Sequence, residues 1–273
     1  MIIDPIKINE TMQFLQSRTP LRPEIGVVLG SGLGAVSDRL EEKVAFPYAE
    51  IPHFPVSSVP GHPGELALGR LAGKNVIVQV GRVHFYEGLG AEKVMYPLWL
   101  MKSLGVKTVI NTNSAGGINP GFSAGDLMLV VDHINFMFVN PLVGPNDEKV
   151  GPRFPDMSCP YDKQLRKKAL QAAQKIGVKL HQGVLIAFLG PSYETLAELN
   201  MASELGADAV GMSSVPECIV SNYLKMRFLG LTCISNLVGA ARDKPLSHDE
   251  VMAAAGLAAK NLGNLIIEIF NIL

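Results

Sequence analysis

Ile25-Gly26-Val27-Val28-Leu29-Gly30-Ser31-Gly32-Leu33-Gly34 is an uncharged apolar run that ends in a glycine-rich turn. A short apolar run bounded by glycine reads as a buried strand of a largely parallel sheet, and a helix is expected to begin after the turn. Such a turn lets backbone N–H groups and the helix N-terminus face an anion, because no Cβ blocks the approach. Ser31 adds a hydroxyl donor. Gly30-x-Gly32-x-x-Ala35 also fits the dinucleotide fingerprint, but that reading requires a second buried strand ending in an acidic residue about 20 positions later. Glu50 stands at that distance among prolines rather than at a strand end, which makes the dinucleotide reading a minor alternative.

On either side of this turn, residues 8–16 suit a short amphipathic helix, and 66–71 with 75–80 suit a hairpin bent at Gly73-Lys74. Between them, Pro47, Pro52, Pro55, Pro60 and Pro63 break regular structure from Phe46 to Pro63, leaving a loop that delivers His62. A helix is expected over about 91–104, a strand over 108–111, a turn over 113–117 and a further strand over 127–131. Residues 139–160 form a long connection bearing proline and glycine, of the kind that serves as a lid, binding loop or subunit contact. Helices near 161–176, 196–205 and 216–226 then alternate with strands near 183–188, 209–210 and 228–234. A closing helix runs from Ser247, where Ser247 and Glu250 have capping-box spacing, to Phe270. With no repeat, low-complexity tract or charge block, residues 1–273 read as one α/β domain.

Composition narrows the function class. Hydrophobic residues at 48% with charged residues at 18% describe a chain with a large core. A net charge of -1 with dispersed Lys and Arg offers no footprint for nucleic acid or an anionic membrane, so any phosphate bound is a small ligand. The first residues lack a basic segment followed by an apolar one, and a cytoplasmic protein is expected. Cys159, Cys218 and Cys233 form no Cys-x-x-Cys pair, which argues against a disulfide framework and a cysteine zinc site.

Further polar clusters each follow or border an apolar run: Pro60-Gly61-His62, Gly81-Arg82-Val83-His84-Phe85-Tyr86-Glu87-Gly88, Gly190-Pro191-Ser192-Tyr193-Glu194-Thr195 and Gly211-Met212-Ser213. Arg82 carries a planar fork of charge-assisted donors suited to phosphate, and His84 faces the same side if the strand continues. Ser31, Arg82, His84 and Ser213 have the chemistry of an anion pocket; Glu194 and Asn236 have that of a pocket reading a heterocycle. Each has a plainer alternative. A lone Arg after a strand favours a surface ion pair, Glu194 fits a first-turn acid favoured by the helix dipole, and Asn236 fits a turn former. A metal at His84 and Glu87 fails for want of further ligands at useful spacing.

Taken in order, Gly-Ser-Gly-Leu-Gly, Val-Pro-Gly-His, Gly-Arg-x-His-x-Tyr-Glu-Gly, Thr-Asn-x-Ala-Gly-Gly, Gly-Pro-x-Tyr-Glu-Thr and Gly-Ala-Asp-Ala-Val-Gly-Met-Ser resemble the trimeric purine nucleoside phosphorylase family, from about Glu24 to the last helix. The resemblance implies an α/β fold with a central mixed, partly barrel-like sheet flanked by helices. It implies phosphate held by Ser31, His62, Arg82, His84, Ser213 and the backbone at Ser114. Tyr86, Met212 and His248 would contact the ribose, with His248 near the 5'-hydroxyl. Glu194 and Asn236 would read the purine, with Tyr193 and Val210 packing on it and Glu87 behind the phosphate ligands. Phe154 would reach a neighbouring subunit's ribose site, which makes a homotrimer the implied assembly. Two departures stand out: Ser114 replaces a common alanine, and 239–244 is shorter than in vertebrate members.

The implied reaction is phosphorolysis of inosine and guanosine, with their 2'-deoxy forms, to free purine and ribose 1-phosphate. It needs phosphate as co-substrate and no cofactor. An Asp in place of Asn236 would have pointed to methylthioadenosine-cleaving relatives. A nucleoside hydrolase and a non-catalytic purine-binding protein are the alternatives of another class. Ser31 and Ser213 do not sit in Gly-x-Ser-x-Gly, so a hydrolase serine is disfavoured.

Overall fold

The computed structural model describes the chain apart from residues 1–2, 31–33, 59–63 and 239–247 and the side chains of 34–35 and 248–258. In chain order the elements are α1 (Pro5–Gln16), β1 (Ile25–Leu29), β2 (Glu41–Pro47), β3 (Glu65–Leu71), β4 (Lys74–Val80), α2 (Gly90–Ser103), β5 (Thr108–Gly117) and β6 (Leu127–Asn135). There follow α3 (Lys163–Lys175), β7 (Leu180–Ala187), α4 (Leu196–Glu204), β8 (Ala209–Gly211), α5 (Val215–Tyr223), β9 (Arg227–Leu237) and α6 (His248–Ile272).

All five residues of β1 are buried, because the strand has parallel neighbours on both edges, β4 and β5, and core on both faces. The sheet runs β2-β3-β4-β1-β5-β8-β7-β6-β9, and β9 returns to pair with β5. That last pairing closes β5, β8, β7, β6 and β9 into a ring, so the mixed sheet is a small barrel with an open wing of four strands. One face packs against α1, α2 and α5 through a core that includes Leu98, Leu100 and Val220. Another packs against α3 and α6 through Leu165, Leu265 and Ile269, and a small cluster under α4 holds Leu199 and Ala202. Among the described residues no helix is long and apolar enough to cross a membrane.

Four local expectations are corrected. The segment after the glycine turn is a 3₁₀ helix, Gly34–Arg39, not an α-helix; six residues that include Gly, Ser and Asp give too little helix propensity for more. The stretch at 113–117 is strand, not turn, and Asn236 lies inside β9 rather than beyond it. The proline-bearing segment begins as β2 and continues as a 3₁₀ turn, Tyr48–Glu50. The Ser247/Glu250 capping box lies outside the described residues.

The barrel explains the run Ser114-Ala115-Gly116-Gly117. β9 pairs with β5 on one edge while β8 pairs antiparallel with Gly116 and Gly117 on the other. A Cβ on Gly116 would stand 2.7 Å from Val238 Cγ1, and one on Gly117 2.9 Å from Ile234 Cγ2, so close strand packing excludes side chains there.

Candidate active site

One cavity of about 120 Å³ collects residues from the carboxyl ends of β4, β5, β8 and β9 and from the segment between β7 and α4. Convergence at strand ends is what an α/β sheet does to build a site from distant sequence. Arg82, His84, Ser114 and Ser213 line it. So do Tyr86 and Met212, and so do Tyr193, Glu194, Val210 and Asn236. Gly30 also reaches the wall; its Cβ would fall 2.9 Å from Asn113 Cα and 3.0 Å from the Thr112 carbonyl oxygen, so only glycine lets the two backbones meet. Ser31, His62 and the His248 side chain lie outside the described residues.

β4 ends at Val80, so Arg82 and His84 do not share a strand face as alternation would have it; each follows Gly81, whose φ of 85° turns the chain. The Arg82 side chain is 2% exposed. Its Nη1 donates to Glu217 Oε1 at 2.6 Å and lies 3.4 Å from Ser214 Oγ, while Nη2 donates to the Thr112 carbonyl. The ion pair expected of an isolated Arg therefore exists, but it is buried beside the cavity rather than exposed on the surface.

His84 stacks on Tyr86, ring centroids 4.7 Å apart at 12°. Burial lowers its pKa and outweighs the opposing pull of Glu87, and so favours the neutral ring. Glu87 sits behind: Oε1 accepts from the His84 backbone N–H at 2.7 Å, and Oε2 accepts from the Ser58 backbone N–H at 2.6 Å and the Ser58 hydroxyl at 2.8 Å. Burial of Glu87 alone would raise its pKa, but hydrogen bonds from His84 and Ser58 outweigh it and bring the carboxyl down to about 2.

On the other part of the wall, Thr195 and Glu198 form the capping box of α4. The Thr195 backbone N–H donates to Glu198 Oε2 at 2.7 Å and the Glu198 N–H donates to Thr195 Oγ1 at 3.2 Å. The first-turn acid is therefore Glu198, and Glu194 stands before the cap, pointed to the cavity. Burial raises its pKa, and the Glu198 charge adds to that. Asn236 is delivered by a β-bulge: the β5–β9 register steps from Ala115↔Ile234 to Gly116↔Asn236, which makes Ser235 the extra residue. Ser235 and Asn236 both line the cavity as a result, and Ser235 Oγ donates to Asn236 Oδ1 at 2.8 Å.

Asn113, Ser235 and Glu217 are site residues that the sequence does not single out. Asn113 lies in the quoted Thr-Asn-x-Ala-Gly-Gly motif and lines the cavity, with Oδ1 accepting from the Thr232 hydroxyl at 2.8 Å. Ser235 and Glu217 carried no motif signal of their own. Phe154 is away from this cavity, 87% exposed, in a separate groove with His133 and Arg153.

A Phosphorylase superfamily model matches residues 24–271. Purine nucleoside phosphorylase 1 of Bacillus subtilis (strain 168) is 52% identical over 246 residues, covering 90% of this chain and 91% of that protein. The chain belongs to the purine nucleoside phosphorylase family. It is accordingly an enzyme of the pentosyltransferase class. The fold agrees: a crystal structure of Schistosoma mansoni purine nucleoside phosphorylase in complex with inosine superposes with a TM-score of 0.94 at 36% identity, covering 100% of this chain and 98% of that one. A second structure of the Schistosoma mansoni enzyme, in complex with adenosine, gives a TM-score of 0.94 at 36% identity, covering 100% and 99%.

Proposed function

We propose that this purine nucleoside phosphorylase acts on inosine and guanosine and their 2'-deoxy forms in preference to adenosine, using phosphate and no cofactor. The observation that carries this reading is that a buried guanidinium and a neutral histidine share one cavity with a carboxylate and a carboxamide. Arg82, His84, Ser213 and the Ser114 backbone, with Ser31 and His62, hold the dianion beneath the sugar. Breaking the N9–C1' bond leaves positive charge on the ribosyl group and negative charge on the purine, as in glycoside cleavage. The fixed phosphate stabilises the first and is already placed to attack C1', which removes much of the entropic cost of a bimolecular step. Tyr86, Met212 and His248 hold the ribose, and Tyr193 and Val210 flank the base.

On the leaving side, the Asn236 NH₂ donates to O6 while its carbonyl accepts a proton carried by N7. Ser235 limits rotation of that amide. Glu194 accepts from N1–H and, in guanine, from the 2-amino group. Adenine offers an unprotonated N1 and a donor at C6, so both contacts are mismatched. The Schistosoma relative holds adenosine, so the preference argued here lies in turnover rather than in admission of the ring. A mismatch of this kind costs on the order of 10⁴ in kcat/KM. Phosphate-dependent base release from inosine, guanosine and adenosine tests this; equal turnover of adenosine overturns it.

A homotrimer is part of the same proposal. Phe138, Val143 and Phe154, at 87%, 76% and 87% exposed, give the segment between β6 and α3 an apolar surface suited to a subunit contact. From there Phe154 of one copy would reach the sugar site of the next. A cytoplasmic place of action belongs to the same proposal, in keeping with the unpaired Cys159, Cys218 and Cys233.

A further inference from the structure

We infer that Glu217 is a positioning residue for the anion half of the site, fixing the plane of the Arg82 guanidinium through a buried 2.6 Å contact. The inference rests on the proposed phosphate role of Arg82. An arginine side chain has many rotamers, and a planar fork presents donors usefully only when its plane is set. Here Glu217 and Ser214 flank Nη1 while the Thr112 carbonyl accepts from Nη2, so acceptors from α5, its cap and β5 act on two nitrogens of one plane. Arg82 itself lines the cavity, so the same contacts that set its plane fix how it meets that wall.

Glu217 is in the first turn of α5, where a carboxylate is favoured by the helix dipole. Its helix starts from Ser214, which has a φ of 72° and whose hydroxyl donates to Asn111 Oδ1 at 2.6 Å. Ser213, on the cavity wall, precedes that cap directly. The carboxylate therefore ties two separate phosphate ligands, one after β4 and one before α5, into a single rigid unit. Acting only through space, a carboxylate near an anion site weakens anion binding. A positioning role gives the opposite sign and depends on reach.

Glu217→Asp keeps the charge and shortens the reach; Glu217→Gln keeps the reach and removes the charge. Both are compared with wild type and with Arg82→Ala for phosphate affinity by calorimetry and for the KM of phosphate and of inosine. Hypoxanthine binding checks the fold. Positioning predicts that Glu217→Asp raises the phosphate KM about tenfold or more while the inosine KM moves less than about twofold, and that Glu217→Gln stays within about threefold of wild type. Phosphate binding unchanged in both variants, or retained in Glu217→Asp and lost in Glu217→Gln, overturns the inference. If Arg82→Ala itself leaves phosphate affinity unchanged, the assignment of Arg82 falls, and the inference with it. If Arg82→Ala weakens phosphate and Glu217→Asp does not, the inference alone falls.

Discussion

Replacing Glu87 by Gln removes one charge from a carboxylate that is held by three close hydrogen bonds, two from Ser58 and one from the His84 backbone. The carboxyl sits at about 2, against 4.5 for an ordinary glutamate. At about 1.4 kcal/mol per pKa unit, that difference corresponds to about 3 kcal/mol of stability for an unscreened group. Ser58 is exposed beside the carboxylate, so solvent screens part of this and about 2 kcal/mol is expected. The sign follows from the depressed native pKa: the contribution is fully present above 4.5 and is lost as pH falls from there toward 2. In Glu87→Gln an amide NH₂ must face N–H or O–H donors of Ser58 or His84, leaving them mispaired. Urea unfolding of both proteins at one fixed concentration, from about pH 7 down to about pH 3.5, reads the difference directly. The gap should be about 2 kcal/mol at neutral pH and narrow below about pH 4.5. A gap that is absent at neutral pH, or that does not change with pH, would show that these hydrogen bonds do not hold the carboxylate as described. Because Glu87 links Ser57 and Ser58 to the His84 backbone, the variant should also raise the phosphate KM more than the inosine KM.

Further outcomes follow from other parts of the site. Glu194 must be ionised to accept from N1–H, and burial raises its pKa, so the acid limb of kcat/KM for inosine should fall at a higher pH than an ordinary glutamate would set; Glu194→Gln should lose that limb, and an identical limb in both proteins would count against the assignment. Asn236→Asp should lower inosine turnover and raise adenosine turnover relative to it, read as the ratio of kcat/KM values; an unchanged ratio would remove Asn236 from base selection. Gly30→Ala places a Cβ against the backbone of Thr112 and Asn113 and should cost about 1–3 kcal/mol in urea unfolding, with an unaltered midpoint as the contrary result.

Much of this architecture can be read from the sequence where burial imposes a pattern. β1 is apolar throughout because both its faces are covered, and the β3–β4 hairpin shows its bend at Gly73, where φ is 73°. β2 is illegible for the opposite reason: it is a charged edge strand, Glu41-Glu42-Lys43, that buries only Phe46 and is irregular near its start. The ends of β5 and β9 read as turns because their Gly, Ser and Asn residues serve a crowded barrel seam and a cavity wall rather than a hydrophobic face. The cavity residues are legible wherever a motif exposes several polar groups at once, as at Arg82, His84 and Tyr86. Glu217 is not, because its partner is 135 residues away in the chain. Ser235 is not, because a bulge, which no alternation rule anticipates, turns it inward.

In the proposed reaction one cavity has an anion half and a base half, served by separate residues. Steady-state measurement of both KM values in Arg82→Ala and Glu194→Ala, with ribose 1-phosphate as the product followed, separates the two halves. A crossed pattern is expected: Arg82→Ala raises the phosphate KM by about tenfold or more with little change for inosine, and Glu194→Ala impairs inosine use with little change for phosphate. Equal effects of both substitutions on both substrates would contradict it.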